Sequence, residues 1–258
     1  MKKFLIIILS LALLGGLSFG GYELFKNKDK LFPKNEREER EESVSSSPSS
    51  NGSQAIEYGV LTEDNGSEDI AKLKRARENN RDAVAWLRVP GTIISSPVMQ
   101  SYDNNFYLRK NEKKESDIFG CYFADCDNNI STRSQLDGNI VIYGHSDLQD
   151  NPEGKRFSQL FKFVDEDFAR ENSKIYLSLL DEELCFEIFS VFYSSGNPSY
   201  INIREKGSRE LAELIQNIKE SSIFDLGIEV KEDDNIIILS TCSVKDGTDF
   251  LAVAGRLI

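Results

Sequence analysis

Two residues in this chain have side chains that could together perform nucleophilic chemistry. His145, the only histidine, ends the short run 141–145, and Cys242 ends the run 238–242. Both runs are rich in Ile, Val, Leu or Tyr, which predicts buried strands whose ends aim the two side chains. A thiol is nucleophilic as its thiolate, and a nearby imidazole can generate or stabilise that form. The alternative is that Cys242 is a small buried hydrophobe, because free cysteines often are.

Similar apolar runs recur along the chain and predict a mostly β fold around these two residues. Strands are predicted at 85–89, 92–98, 118–124, 139–144, 174–180, 183–193, 228–230, 235–241 and 249–257. Many short strands with few long helices are typical of a barrel or a sandwich.

Helical spacing of apolar residues predicts three helices, at 69–79, 157–170 and 208–224. The third is the clearest, because four apolar residues form one face and Ser208 can cap its N-terminus. These four are Leu211, Leu214, Ile215 and Ile218.

The motifs Ile-Tyr-Gly-His at 142–145 and Leu-Ser-Thr-Cys at 239–242 resemble those of the sortases, the cysteine transpeptidases of Gram-positive bacteria. Residues 86–92, 96–98 and 103–108 are also similar to the start of a sortase barrel, and the resemblance runs from about Asn79 to Ile258. A long helix before the Cys strand resembles class B. The resemblance implies a closed sortase-type barrel of about eight strands, with one or more N-terminal helices and the helix at about 208–224.

The resemblance also implies the chemistry of acyl transfer. Cys242 would attack a Thr–Gly or Thr–Asn type bond in a sorting motif such as Asn-Pro-x-Thr-x, carried by secreted surface proteins. An amine of a lipid II-type cell-wall precursor would then resolve the thioacyl intermediate. His145 would protonate the leaving amine and deprotonate the incoming one. Backbone N–H groups, Thr241 and Ser240 are the candidate substrate or oxyanion contacts.

One position departs from the family pattern. Sortases carry an arginine that faces the thiol from the strand after the Cys loop, and alignment of the chain's end places Phe250 there. Arg256 shares that face but lies about 20 Å further along the strand, so it fits a structural role. Either Lys245 or an arginine of a neighbouring loop substitutes, or a bulge in 245–248 slips the register, or the enzyme is slow or inactive.

Three functions therefore stay open at the level of sequence. The leading hypothesis is a class B sortase-like transpeptidase. The others are a weak cysteine endopeptidase that passes the acyl group to water, and a sortase-like pseudoenzyme that binds peptides without turnover. The Phe250 substitution favours the last, whereas the intact His145 and Cys242 oppose it.

Composition excludes other classes of function. The formal net charge of −12, from 31 basic and 43 acidic residues, argues against nucleic acid binding. One histidine and no Cys-x-x-Cys pair argue against a metal site, and no residue cluster implies an organic cofactor. Cys121, Cys126 and Cys185 are predicted to be free thiols; the first two could bond only if a turn lay between them.

The N-terminus predicts a membrane anchor. Lys2 and Lys3 precede an apolar run from Phe4 to about Phe25, which is long enough to span a bilayer. A cleaved signal peptide is the alternative. The predicted organisation is an anchor at 1–26, a flexible polar and charged linker at 27–56 and a catalytic domain at 57–258. Together with the resemblance, it predicts a single-pass protein of the cell membrane with an extracellular catalytic domain.

Overall fold

Eight strands close into a barrel in the computed structural model, which describes residues 65–258 except positions 148, 197, 244, 246 and 247. The strands are β1 Ala83–Arg88, β2 Ser95–Met99, β3 Tyr122–Ala124, β4 Asn139–Tyr143, β5 Lys174–Ser178, β6 Glu183–Ser194, β7 Ile236–Cys242 and β8 Phe250–Leu257. Their order around the barrel is β1-β2-β3-β4-β7-β8-β6-β5, and β5 closes onto β1. The β2–β3 and β4–β7 pairs are parallel and the others antiparallel. The predicted mostly β barrel is confirmed.

Strands β4 and β7 are buried on both faces, which explains their nearly continuous apolar sequences. Ile237 and Leu239 of β7 point into the main core, whereas Ile236 and Ile238 pack in a second cluster outside the barrel. The alternation follows from the two-residue period of a strand. Cys242 therefore ends a strand that is held from both sides.

The α-helices are α1 Asn65–Asn79, α2 Glu166–Glu171 and α3 Arg209–Glu220. The apolar face of α3 contributes to the second cluster and covers the outside of β7. The predicted cap is confirmed, because the Ser208 hydroxyl accepts a hydrogen bond from the backbone N–H of Leu211 at 3.1 Å. Helix α3 thus supports β7, the strand that ends at Cys242, from outside the barrel.

One local prediction was incomplete and one was wrong. The segment 157–170 is helical as predicted, but it forms a 3₁₀ helix, Arg156–Val164, followed by α2. Asp165 separates them, because its backbone is extended and its side chain caps α2 by accepting a hydrogen bond from Phe168 N–H. Residues 228–230 form no strand; Ile228 instead packs against both hydrophobic clusters.

The prediction of a single-pass membrane localisation is contradicted. Among the described residues, no helix is long and apolar enough to cross a bilayer. The longest of them, α1, has 15 residues and is rich in charged side chains, whereas a spanning helix needs about 20 mostly apolar residues. The predicted anchor at 1–26 and linker at 27–56 lie outside the described residues.

A buried ionic network fastens α1 to the barrel. The Asp69 side chain is 1% exposed and pairs with Arg88 of β1, which also pairs with Glu183 of β6 at 2.8 Å. The Arg88 guanidinium lies over the Tyr176 ring, 4.1 Å from its centroid. One arginine thus joins α1, β1, β5 and β6.

Replacing Asp69 by alanine should lower the free energy of unfolding by about 3 kcal/mol, because it leaves Arg88 half-buried with one partner fewer. Urea denaturation of the variant measures the loss. Glu213→Ala, in the exposed Arg209–Glu213 pair on α3, is the matched control and should cost less than about 0.5 kcal/mol. Equal effects of the two changes would contradict a supporting role for the network.

Candidate active site

The parallel pairing of β4 with β7 brings His145 and Cys242 to the same edge of the barrel. The last registered pair is Tyr143 with Ser240, and each reactive residue lies two positions beyond it. Both line one cleft of about 240 Å³. Its other lining residues are Asn104, Leu108, Phe123, Tyr143, Gly144, Ile201, Ser240, Thr241 and Phe250. A thiol and an imidazole thus share a cleft whose walls are mainly apolar.

Gly144 connects the end of β4 to His145 at a point where two aromatic rings lie close to the backbone. A Cβ atom there would lie 2.7 Å from the Phe157 ring and 2.9 Å from the Tyr122 ring. These two rings pack together with their centroids 4.6 Å apart. The His145 carbonyl accepts a hydrogen bond from Phe157 N–H at 2.9 Å. Because the two rings come this close, only glycine fits at position 144. The hydrogen bond from Phe157 fixes the backbone of His145.

The hydroxyls of Thr241 and Ser240, which the sequence analysis named as candidate substrate or oxyanion contacts, already form hydrogen bonds within the protein. Both residues are buried. Thr241 Oγ1 donates to the Gly144 carbonyl at 2.7 Å, which ties the end of β7 to the end of β4. Ser240 Oγ lies 2.9 Å from the Tyr200 hydroxyl. The Thr241 hydrogen bond thus joins the residue before Cys242 to the residue before His145.

His145 has a defined tautomer. Its Nε2 lies 2.7 Å from the Leu108 carbonyl oxygen, and a carbonyl only accepts, so Nε2 carries the proton. In the neutral ring Nδ1 is then the basic nitrogen. Burial lowers the pKa of His145; the Leu108 carbonyl opposes this shift and the positive charge of Arg109 adds to it. The imidazole is therefore neutral at neutral pH.

The thiol of Cys242 is also neutral at rest. The residue reaches solvent, but burial against the cleft raises its pKa. The positive charge of Arg109 opposes this increase, whereas the carboxylates of Asp249 and Asp150 add to it. A neutral thiol and a neutral imidazole in one cleft can act as nucleophile and base if the proton passes from the sulfur to the ring.

Two serine side chains connect the loop after His145 with the loop after Cys242. Ser146 Oγ donates to the Cys242 carbonyl at 2.6 Å. Ser243 Oγ donates to a carboxylate oxygen of Asp150 at 2.9 Å. The loop after His145 and the loop after Cys242 are thus joined to each other at the cleft's edge.

Phe250 stands where sequence alignment placed the missing arginine. It is the cross-strand partner of Cys242 in the antiparallel β7–β8 pair, so the two side chains lie on the same face. The β7–β8 register runs without a shift from Ile236–Arg256 to Cys242–Phe250. An aromatic ring therefore occupies the strand position beside the thiol, and the slipped-register explanation does not apply to the paired residues.

Three basic residues bear on the question of which cation replaces the family arginine, and they differ in placement. Arg256 lies at the opposite end of β8 and pairs with Glu187 at 2.9 Å. Lys245 rests over the Tyr193 ring, 4.0 Å from its centroid. Arg109 follows Leu108, which lines the cleft, and its guanidinium donates to the Ile118 carbonyl at 2.6 Å. Its charge acts on both reactive groups.

Sequence reasoning named neither Arg109 nor Tyr200, and it assigned Ser146 no contact. Arg109 is adjacent to the 103–108 segment that resembles the family, which was the one available signal. The bond from Ser146 to Cys242 spans 96 positions of sequence and becomes visible only in the folded chain.

One group among the described residues brings three potential metal ligands together. Atoms of Asp125, Cys126 and Asp127 lie within 4.8 Å of one another. Arg204 pairs with both carboxylates, at 3.9 and 3.4 Å, and Asp125 also accepts hydrogen bonds from two residues of the cleft. These contacts explain the cluster as part of the protein's own polar network. All four cysteines are free thiols.

Replacing Thr241 by valine should lower the free energy of unfolding by about 1–3 kcal/mol, because it leaves the buried Gly144 carbonyl without its donor. Thr241→Ser keeps the hydroxyl and serves as the control. Urea denaturation of both variants gives the difference. A valine variant as stable as the serine variant would remove the bond's supporting role and favour a direct role for the hydroxyl in the reaction.

Comparison with known proteins places this geometry in a family. The chain is 31% identical to sortase B of Listeria monocytogenes over 191 residues, which cover 72% of this chain and 74% of that protein. It is 24% identical to sortase B of Staphylococcus aureus over 181 residues, covering 69% and 71% of the two chains.

Solved structures agree with the sequence comparison, although a scan against family models gives no match. The fold is similar to the crystal structure of Clostridium perfringens sortase B, with a TM-score of 0.63 and 31% identity; the match covers 72% of this chain and 98% of that one. The chain belongs to the sortase B family of cysteine transpeptidases.

Proposed function

We propose that this protein cleaves a C-terminal sorting motif of the Asn-Pro-x-Thr-x type and joins the acyl group to an amine of a cell-wall precursor. The observation that carries the proposal is the placement of His145 and Cys242 over one cleft, at the end of a parallel strand pair. An apolar cleft of this kind suits a peptide substrate whose few polar groups fix its orientation.

The first half-reaction begins with a proton transfer. The Cys242 thiol gives its proton to His145, and the thiolate attacks the carbonyl carbon of the motif's threonine. As the tetrahedral intermediate collapses, the carbon–nitrogen bond breaks and the imidazolium protonates the leaving amine. The product is a thioester between the peptide and Cys242. The neutral resting pair has both the proton and the acceptor that this step needs.

The second half-reaction reverses the proton movement. The incoming amine attacks the thioester carbonyl and gives up a proton to neutral His145, while the Cys242 sulfur leaves and recovers its proton. The bond from His145 Nε2 to the Leu108 carbonyl supports this role. It leaves Nδ1 as the nitrogen that accepts and returns the proton.

Arg109 is the cation that we assign to this site in place of the family arginine. It lies next to Leu108 at the cleft, and its positive charge favours the Cys242 thiolate. The same charge would stabilise the oxyanion of the tetrahedral intermediate together with backbone N–H groups near Cys242. This assignment leaves Thr241 and Ser240 as supports for the strand ends, consistent with their hydrogen bonds.

Product analysis with and without an amine tests the proposed function. A panel of Asn-Pro-x-Thr-x peptides is incubated with the protein, with and without triglycine as the amine. Cleavage with an amine-linked product is expected, and Cys242→Ala should give neither product. Cleavage at an equal rate into the free acid alone would favour an endopeptidase. Binding without cleavage would favour the pseudoenzyme that the Phe250 position suggests.

Replacing Arg109 by glutamine should slow acylation roughly ten- to hundredfold, because it removes a charge that stabilises thiolate and oxyanion. It should also shift the pH dependence of Cys242 alkylation by iodoacetamide to higher pH, since loss of a nearby positive charge raises a thiol pKa further. Both effects are measured at low salt, where an exposed charge acts most strongly.

Two control variants separate charge from shape in this experiment. Arg109→Lys keeps the charge and should recover most of the alkylation profile, whereas Lys113→Gln removes an exposed charge from the same loop and should change neither quantity. An unshifted alkylation profile in Arg109→Gln would refute the assignment.

A further inference from the structure

A buried carboxylate lies directly behind one wall of the cleft. Asp125 follows β3 and is 2% exposed. Its Oδ2 atom accepts hydrogen bonds from Asn104 Nδ2 at 2.8 Å and from the Tyr143 hydroxyl at 2.9 Å. Asn104 and Tyr143 both line the cleft that holds Cys242. One carboxylate oxygen therefore binds two side chains of the proposed peptide site.

These bonds fix the polarity of both side chains. Asn104 Oδ1 accepts a hydrogen bond from the Cys126 backbone N–H at 2.8 Å, which settles the orientation of its amide. By valence, Asn104 Nδ2 keeps a second N–H. Tyr143 donates its only hydroxyl proton to Asp125, so its oxygen can only accept a further hydrogen bond. The wall consequently offers one defined donor and one defined acceptor.

Burial, together with the negative charge of Asp125, raises the pKa of Tyr143 well above its usual range. The phenol thus stays protonated at neutral pH and keeps donating its hydrogen bond to the carboxylate. The other carboxylate oxygen, Oδ1, serves the local turn by accepting from Asp127 N–H at 3.1 Å. Oδ1 also lies 3.9 Å from the Arg204 guanidinium. Oδ2 therefore contacts the two cleft residues, whereas Oδ1 contacts the turn and Arg204.

We propose that Asp125 is a positioning residue for the peptide substrate. It presents the Asn104 amide N–H to a backbone carbonyl, and the Tyr143 oxygen to a backbone N–H, of an extended peptide in the cleft. An extended peptide carries these complementary groups in alternation. The inference rests on the proposed function, since it takes the occupant of the cleft to be a peptide.

Replacing Asp125 by asparagine tests the inference, because the shape is kept while the carboxylate is lost. An amide has a single acceptor oxygen and adds donors, so it cannot serve Asn104, Tyr143 and the turn as the carboxylate does. We expect KM for a sorting peptide to rise about tenfold with kcat changed less than about threefold, the signature of lost uniform binding. Asp127→Asn, which changes a neighbouring exposed carboxylate, is the matched control and should leave KM unchanged.

Two further measurements separate positioning from folding. Thermal melting should show that Asp125→Asn is still folded at the assay temperature, although the lost buried contacts lower its Tm, and the rate of Cys242 alkylation by iodoacetamide should be nearly unchanged. The effect of Asp125→Asn on KM should also be smaller in a Tyr143→Phe background, because the two residues act through one hydrogen bond. Full additivity of the two changes, or an unchanged KM in Asp125→Asn, would overturn the inference.

Peptide binding to the Cys242→Ala variant distinguishes this inference from the proposed function. Fluorescence anisotropy with labelled sorting peptides gives Kd without turnover. Binding that weakens about tenfold with Asp125→Asn supports the inference even if the wild-type protein releases no product, in which case only the proposed reaction fails. If no peptide of the panel binds, the inference fails as well.

Discussion

The site depends on the parallel pairing of β4 with β7. In the register between these two strands the last pair is Tyr143 with Ser240, and His145 and Cys242 each lie two positions beyond it, at the same barrel edge. The pairing holds because both strands are apolar on both faces and are enclosed between the barrel interior and the cluster under α3. Beyond the last registered pair, the hydrogen bond from Thr241 to the Gly144 carbonyl joins the two residues next to Cys242 and His145.

Burial and the positive charge of Arg109 act in opposite directions on the pKa of the Cys242 thiol. The apolar cleft that would accept a peptide also disfavours the charged forms of the thiol and the imidazole, which keeps the resting pair neutral. The positive charge of Arg109 offsets part of that cost for the thiolate, while it adds to the cost for the imidazolium. Phe250 holds the strand position beside Cys242, so we propose that Arg109 supplies the cation of this site.

The sequence predicted features that depend on local pattern. The barrel strands that carry the reactive pair follow from long apolar runs, and α3 follows from its apolar face and the Ser208 cap. Where one apolar pattern suits two kinds of local structure, the sequence did not distinguish between them. Apolar residues near 157–164 suit a 3₁₀ helix as well as an α-helix, and Ile228 is apolar because it packs between two clusters rather than because it pairs in a sheet.

The site's supporting contacts could not be predicted, because they join distant parts of the chain. The Ser146 bond to Cys242, the Leu108 bond to His145 and the Asp125 bond to Asn104 each require the closed barrel. The membrane prediction failed for a different reason. It was drawn from residues 1–26 alone, and no described helix bears it out.

Formation of an acyl-enzyme tests the central claim, that His145 and Cys242 act as one unit, most directly. Intact-mass spectrometry follows the thioacyl adduct over time in the wild-type protein, His145→Ala and Cys242→Ala with the same sorting peptide. The account predicts an adduct on the wild-type protein, none on Cys242→Ala, and formation slowed at least about a hundredfold in His145→Ala, the size expected for loss of a general acid. An adduct that persists in Cys242→Ala, or that forms at an undiminished rate without His145, would contradict it.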